Sequence, residues 1–403
     1  MTVTAPRARD PRAAWDMPRP MLGLDRARRG YDLVLFGVAL ALALIGAVLV
    51  WAATKFELQD AGADPNQFLY RHLMNVAIAA ALCLVASRLD FRMLRVFGPV
   101  VYLGSLGGLA LVFLVGVTVN GANAWIRLGG GFEIQPSEFM KLGLIVGMAV
   151  MFAQRELRRA EAGISDGPPP STDVFLALGL IAVPLAMIMK QPDLGSAMVL
   201  AAASFGVLVA ADVRARWTVG LILVAAVGAV VVVKSGMLAD YQLDRFKAFT
   251  DPGADPKGAA YNIIQAHIAI ANGGLFGLGL FNGPQTRGGF VPEQQTDFVF
   301  SVAGEEFGLV GGAVIIALFA VLCWRGLRIA RDADRAGRLV AVGIVCWFAF
   351  QAFQNIGMNL GLMPVTGIPL PFVSYGGSSM FAQGLAIGLL QAVHRRSQRT
   401  VED

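Results

Sequence analysis

Only three cysteines stand in this chain of 403 residues, and each of them, Cys83, Cys323 and Cys346, falls inside an apolar stretch. That excludes a disulfide framework and any cysteine-based metal-ligand spacing. Charge is scarce too: Asp, Glu, Lys and Arg make up 15% of the residues against 56% hydrophobic ones, with a mean hydropathy of +0.61. A soluble core does not have that balance. There is no glycine-rich nucleotide-binding loop, no tandem repeat and nothing that points to a nucleic acid partner. The first 32 residues lack the short apolar core and small-residue cleavage site of a removable signal.

What the chain has instead is long apolar runs. Ten read as membrane spans, at residues 33–51, 68–88, 97–118, 136–153, 174–190, 194–211, 216–234, 298–323, 338–360 and 372–393, most of them close to the roughly 20 residues that cross a bilayer as a helix. The expected fold is therefore an all-α integral membrane protein with ten transmembrane helices. With the N-terminus in the cytoplasm, the inner segments hold 23 of the 33 Lys and Arg residues, so the positive-inside rule puts both termini there. Residues 1–32 read as a disordered basic cytoplasmic tail, 33–393 as the ten-helix domain and 394–403 as a cytoplasmic C-terminal tail. Residues 160–172, with Pro168 to Pro170, read as a flexible inner linker. One long extracytoplasmic loop, 235–296, precedes helix 8, and its length argues for a function beyond connection.

That loop ends at Asp297, where it turns into an apolar helix. An ionisable group at that depth is costly, and desolvation raises a carboxylate's pKa towards values useful to a general base, so Asp297 is a catalytic candidate. A second reading stands beside it: Thr296 and Asp297 are both cap formers just before an apolar run. Pro136 opens the fourth span, and Glu138 and Lys141, three residues apart, share one helix face inside the membrane. They are either a self-neutralising packing pair or, with Arg127, an anion-handling wall. Lys190 and Asp193 meet at a tight turn between the fifth and sixth spans, as a structural ion pair or as the rim of an outward pocket. Arg71 and His72, at the outer end of the second span, read from position alone as side chains snorkelling to headgroups.

Further down the chain, Ile263, Ile264 and Ile268 suggest an interfacial amphipathic helix, and the glycines that follow suit either an anion-binding nest or simple flexibility. Glu305 and Glu306 lie two to three turns beyond Asp297 on its helix, where burial is unusual. Pro364, Pro369 and Pro371 prevent a regular helix between the ninth and tenth spans, and Ser374, Tyr375, Ser378 and Ser379 bring hydroxyls to the same outer side. Polar groups from at least five segments thus converge beside Asp297.

The stretches NGANAWIRLG, QPSEFMKL, QPDLGS, AYNIIQAHIAI, PEQQTDFVFSVAGEEFG and MPVTGIPLPFVSYGGSS, which span nearly the whole chain after residue 30, resemble those of the SEDS family (shape, elongation, division and sporulation). Its members are membrane glycosyltransferases that polymerise lipid II into peptidoglycan. The NIIQ and PVTGIPLP details look more like the elongation branch, tied to rod shape, than the division branch. The resemblance implies that Asp297 is the family's essential catalytic aspartate, that Glu138 and Lys141 match a polar pair in the central cavity on which activity depends, and that Arg71 matches a cavity arginine. Where the family commonly has His before the Thr–Asp pair, Gln295 stands here, which argues against a direct role for that position.

On that reading Asp297 takes the proton of an acceptor sugar's 4-hydroxyl, which attacks the donor's anomeric carbon with inversion and expels undecaprenyl diphosphate. Arg71, Arg127, Lys141 and Lys190 are the expected holders of the diphosphate, and Glu138, Asp193, Ser374, Tyr375 and Ser378 are expected to complete the substrate site. A divalent cation such as Mg2+ or Mn2+ would suit a diphosphate, but no ligand cluster in the sequence demands one. The implied partners are a class B penicillin-binding protein, because nothing in this chain can cross-link peptides, and elongation-complex membrane proteins. A flippase for the lipid-linked precursor is the competing class; its polar groups belong near the midplane, whereas here they gather near one face. A pure scaffold would need no buried charge at all.

Overall fold

The computed structural model describes residues 30–89, 91–119, 122–129, 132–164, 167–234, 249–251, 253, 258 and 260–398. The basic tail expected over residues 1–32 thus falls, up to residue 29, outside the described residues, as do residues 235–248 of the long loop. Helix dominates. In chain order come α1 (Leu33–Asp60), α2 (Gln67–Ser87), α3 (Phe91–Val115), three short strands, α4 (Pro136–Glu161), α5 (Ser171–Lys190), α6 (Leu194–Ala210) and α7 (Ala215–Lys234). Then follow α8 (Tyr261–Gly273), α9 (Pro284–Arg287), α10 (Val299–Asp332), α11 (Arg335–Asn359) and α12 (Gly377–Ser397).

Helices occupy each of the ten stretches expected to span. Seven of them, α1 to α5, α10 and α11, are long and apolar enough to cross a membrane, while α6 and residues 215–228 of α7 are shorter apolar helices. The last helix runs through Ser397, four residues into the stretch expected to be a tail.

Two helices form the hub. In α4 and α11, 83% and 67% of the apolar window is buried, against 22–39% in the other five, whose exposed leucines and valines suit a lipid surround. The outer pair α2 and α12 packs closely because α12 carries a small-residue stripe, Gly384 and Gly388. A Cβ at these positions would come within 2.4 Å of the Ala79 carbonyl and 2.5 Å of the Cys83 carbonyl, so only glycine lets the two backbones meet.

Where a plain loop was expected after α3, the chain builds a sheet: β1 (Val117–Val119), β2 (Ala122–Gly129) and β3 (Phe132–Ile134), antiparallel in that order. Val117 pairs with Trp125, and Ile126 with Ile134. The sheet leads directly into α4, whose first-turn proline needs no amide partner. Ser378 fastens it to α12 by donating to the Glu133 carbonyl and accepting from the Gln135 amide, both at 3.0 Å.

The other departure is in α10, which breaks at Gly308 (φ 64°, ψ −162°). The glycine-rich segment after α8 docks at that break. Leu278 and Gly279 amides donate to the carbonyls of Glu305 and Glu306, and Leu309 and Val310 amides donate to Gly274 and Leu275. Those bonds replace the ones a broken helix loses within the membrane. The anion-nest expectation therefore fails for these two loop amides, which are spent on carbonyls. Helix α8 also differs from the interfacial reading: Ile263, Ala266, Ala269 and Gly273 are buried and the helix packs on α10, leaving Ile268 outward.

Candidate active site

Asp297 sits in a turn two residues before α10 begins, half-buried. The N-cap position is Phe298, which supplies no side-chain cap, and the Ser301 amide is satisfied instead by Asn359 Oδ1 at 3.1 Å. Asp297 is thus one residue ahead of the N-cap position that the cap reading gave it.

What the structure does to this turn is hold its backbone residue by residue. Gln294 donates from Nε2 to the Ala53 carbonyl of α1 (2.6 Å) and to the Thr286 carbonyl of α9 (3.2 Å). The Gln295 carbonyl accepts from the Tyr375 amide at 2.9 Å, and the Thr296 carbonyl accepts from the Ser374 hydroxyl. The Asp297 carbonyl accepts twice, from Asn355 Nδ2 at 2.8 Å and from Asn359 Nδ2 at 3.0 Å. Three successive carbonyls are thus gripped by α11 and by the irregular segment ahead of α12. Such a turn cannot drift, which is what a positioned catalytic group requires.

A ladder of amides on α11 carries the grip deeper. Gln351, Asn355 and Asn359 recur every four residues on one face and all are fully buried. Asn355 also donates to the Ile368 carbonyl at 2.7 Å, and Gln351 to the Pro369 carbonyl at 2.8 Å. At the lower rung Gln351 Oε1 accepts from Lys141 Nζ (3.3 Å) and from Trp347 Nε1 (2.6 Å). Lys141 in turn pairs with Glu138 at 2.6 Å and lies 4.9 Å from the centre of the Trp347 ring. One rung of four residues rises about 6 Å, so the ion pair lies roughly that far below the Asp297 grip along α11.

The expected residues do not form one wall. Glu138 and Lys141 are sealed, at 3% and 1% side-chain exposure, and Lys141 has three neighbours of its own. Arg127 is exposed and pairs with Glu133 across β2 and β3 at 2.9 Å, rather than with the buried pair. Lys190 and Asp193 do not pair among the described residues. Asp193 instead caps α6 through the Ser196 amide (2.9 Å) and accepts from Gln135 Nε2 (2.9 Å), while Lys190 stays exposed. Arg71 is exposed, but His72, expected at headgroup level, is fully buried, with its ring 6.5 Å from that of Tyr375. Ser374 and Tyr375 do reach the Asp297 turn, whereas Ser378 serves the sheet.

Glu305 is a fastener: buried, it accepts from the Gln285 amide and from both the amide and hydroxyl of Thr286, tying α9 to α10. Among the described residues no group of three or more His, Cys, Asp or Glu side chains could hold a metal ion.

A bundle of apolar helices around a buried ion pair, with an aspartate clamped at the entry to one helix, defines an integral membrane protein with a polar site near one end of the bundle. Residues 32–399 match the family of cell cycle proteins that comprises FtsW, RodA and SpoVE. The chain belongs to that family. It is 38% identical to the "Probable peptidoglycan glycosyltransferase FtsW" of Geobacter metallireducens, covering 92% of this chain and 96% of that one. Identity is 37% to the stage V sporulation protein E of Bacillus subtilis (91% and 98% covered) and 33% to the peptidoglycan glycosyltransferase MrdB of Escherichia coli (90% and 93%). The fold matches the rod shape determining protein RodA of Thermus thermophilus with a TM-score of 0.65 at 29% identity, over 91% of this chain and 97% of that one. A chain from a peptidoglycan synthase complex that coordinates polymerization and crosslinking matches with a TM-score of 0.73 at 32% identity, over 91% and 98%.

Proposed function

We propose that this protein is a peptidoglycan glycosyltransferase of the bacterial cytoplasmic membrane. It crosses the bilayer ten times with both termini inside and polymerises lipid II at the outer face. The observation that carries this reading is the Asp297 turn, whose three carbonyls are held from two directions just ahead of the α10 N-cap residue, Phe298. Asp297 accepts the proton of the acceptor's 4-hydroxyl as that oxygen bonds to the donor's anomeric carbon. The bond from that carbon to the diphosphate breaks with inversion, and undecaprenyl diphosphate leaves with the electron pair. Arg71, exposed on α2, and Tyr375, whose amide holds the turn, serve as substrate contacts. Glu138, Lys141 and the amide ladder position the site from below; they are not open to the ligand.

Reconstitution of the purified protein with labelled lipid II tests the reading: glycan ladders on a gel support the polymerase, and transbilayer movement of lipid II without ladders supports a flippase. The partner is a class B penicillin-binding protein, which co-purification would reveal; full-rate polymerisation without one, and no stable complex, would count against a required pairing.

Two cellular roles fit this activity. The NIIQ and PVTGIPLP stretches favour elongation, with elongation-complex proteins as neighbours. The FtsW relatives, at 38% and 39% identity against 33% for MrdB, favour division at least as well. Depletion separates them, since loss of an elongation enzyme rounds the cells and loss of a division enzyme leaves them undivided.

A further inference from the structure

On its Gln294 side the Asp297 turn is held against the outer end of α1 and against α9, through the carbonyls of Ala53 and Thr286. Two cations sit just beyond those contacts: Lys55, two residues after Ala53, and Arg287, directly after Thr286. The Lys55 ammonium lies 4.0 Å from the ring centre of Phe281, 5.3 Å from that of Trp51 and 5.6 Å from that of Phe56. The Arg287 guanidinium carbon lies 4.8 Å from the centre of the same Phe56 ring. Among the described residues neither cation has a carboxylate partner. Lys141 and Arg127, by contrast, already have one each.

Contact with ring faces fixes both charges in place without neutralising them. Sharing one ring keeps them about 10 Å apart or less, and two like charges held that close repel unless an anion lies between them. The aromatic side chains also give the pair an apolar floor of the kind found where a membrane meets water. A charged headgroup with a hydrocarbon tail fits such a floor better than a free ion does. Arginine grips a phosphate with two donors and lysine meets a second as a point charge, so the pair suits a ligand with two linked phosphates.

We propose that Lys55 and Arg287 form a subsite for the diphosphate of the lipid-linked substrate, with the first isoprenoid units resting on Trp51, Phe56 and Phe281. The polymerase reading above supplies only the ligand's identity; the required chemistry is a phosphate-bearing lipid headgroup. This subsite adjoins the Asp297 turn through the Gln294 contacts with the Ala53 and Thr286 carbonyls.

Binding of fluorescent lipid II to the full-length protein in phosphatidylcholine nanodiscs, with and without added phosphatidylglycerol, tests this. Replacing both cations (K55Q/R287Q) should raise the Kd for lipid II about tenfold in phosphatidylcholine alone, as expected for losing two charge-assisted contacts. Inorganic diphosphate should compete with lipid II on the wild type and much less on that variant. The charge-keeping K55R/R287K should bind close to the wild type, and thermal melting of all three should coincide. An unchanged Kd in K55Q/R287Q would overturn the proposal. So would a loss seen only with phosphatidylglycerol present, which would assign the cations to bulk anionic lipid. Because binding needs no turnover, a wild type that binds as described yet makes no glycan even with its penicillin-binding partner present would sink the polymerase reading and leave the subsite standing.

Discussion

Replacing Lys141 with methionine keeps an unbranched side chain of similar length and removes the charge. In the folded protein Glu138 Oε1 has Lys141 as its ion-pair partner and Oε2 has no hydrogen bond, so the substitution leaves a carboxylate at 3% exposure without a partner. Breaking one side of a buried pair costs about 3–5 kcal/mol. Against a net stability of roughly 5–15 kcal/mol, that removes a large part of the margin. The double variant E138Q/K141M removes both charges and should regain most of the loss, because neutral replacement of a whole buried pair is close to neutral. Thermal melting in nanodiscs measures both effects, and a glycan-ladder assay on the same samples measures the rest. We expect the double variant to melt near the wild type yet polymerise on the order of tenfold more slowly, since Gln351 has lost the ammonium that orients it at the foot of the ladder. A single variant as stable as the wild type would refute the burial argument. A stable double variant with full activity would show that the pair only packs.

Asn359→Ala removes one donor from the Asp297 carbonyl and one of the two acceptors of the Ser301 amide, which keeps the Phe298 carbonyl at 3.0 Å, so losing the two bonds should cost about 1–3 kcal/mol in melting and lower the polymerisation rate more than Asn272→Ala, which touches only the Glu305 fastener at 3.4 Å. Gly277→Ala should abolish stable folding or cut yield sharply, because φ is 79° there and a Cβ would stand 2.1 Å from the Glu306 carbonyl oxygen; normal melting would contradict the docked loop. On the opposite face, burial raises the Asp212 pKa, but hydrogen bonds and charges from Arg335 and Arg338 outweigh it and leave the carboxyl below its ordinary value of 3.8. The stability this provides is present above that value and is lost as pH falls through the lowered one, so Asp212→Asn should lower melting by a constant amount near neutrality, flatten the acid limb of a melting-versus-pH curve below about pH 4, and converge with the wild type in acid.

Much of the fold was legible because apolar run length reports membrane helices directly, and Pro136, Asp193 and the Pro364 to Pro371 cluster marked where helices start or stop. The sheet was not. ANAWIRLG alternates only loosely, and nothing in its pattern announces the pairing with FEI. The glycines after α8 pointed to close backbone approach, correctly, but sequence could not say that the approaching partner is the broken helix α10 and not an anion. At the site, charge drew attention to Arg127, which pairs with Glu133, and to Lys190, which stays exposed and apart from Asp193. The neutral amides Gln351, Asn355 and Asn359 passed unnoticed, although polar residues every four positions in an apolar helix are a legible signal of a buried network. Lys55 and Arg287 lie about 230 residues apart in sequence, and only the fold brings them to one ring.

Asp297→Asn tests the central claim most directly. The amide keeps the size of the side chain and leaves every bond to the Gln295, Thr296 and Asp297 carbonyls in place, but it cannot accept a proton as a base. Measured as glycan ladders from labelled lipid II, beside melting and lipid II binding, the variant should fold and bind like the wild type and lose a factor on the order of a hundred to ten thousand in rate. Thr296→Ala, which removes only a hydroxyl turned towards Glu293, should stay near the wild type. Near-normal ladders from Asp297→Asn would contradict the assignment outright, and equal losses in both variants would make this turn a structural feature and not a catalytic one.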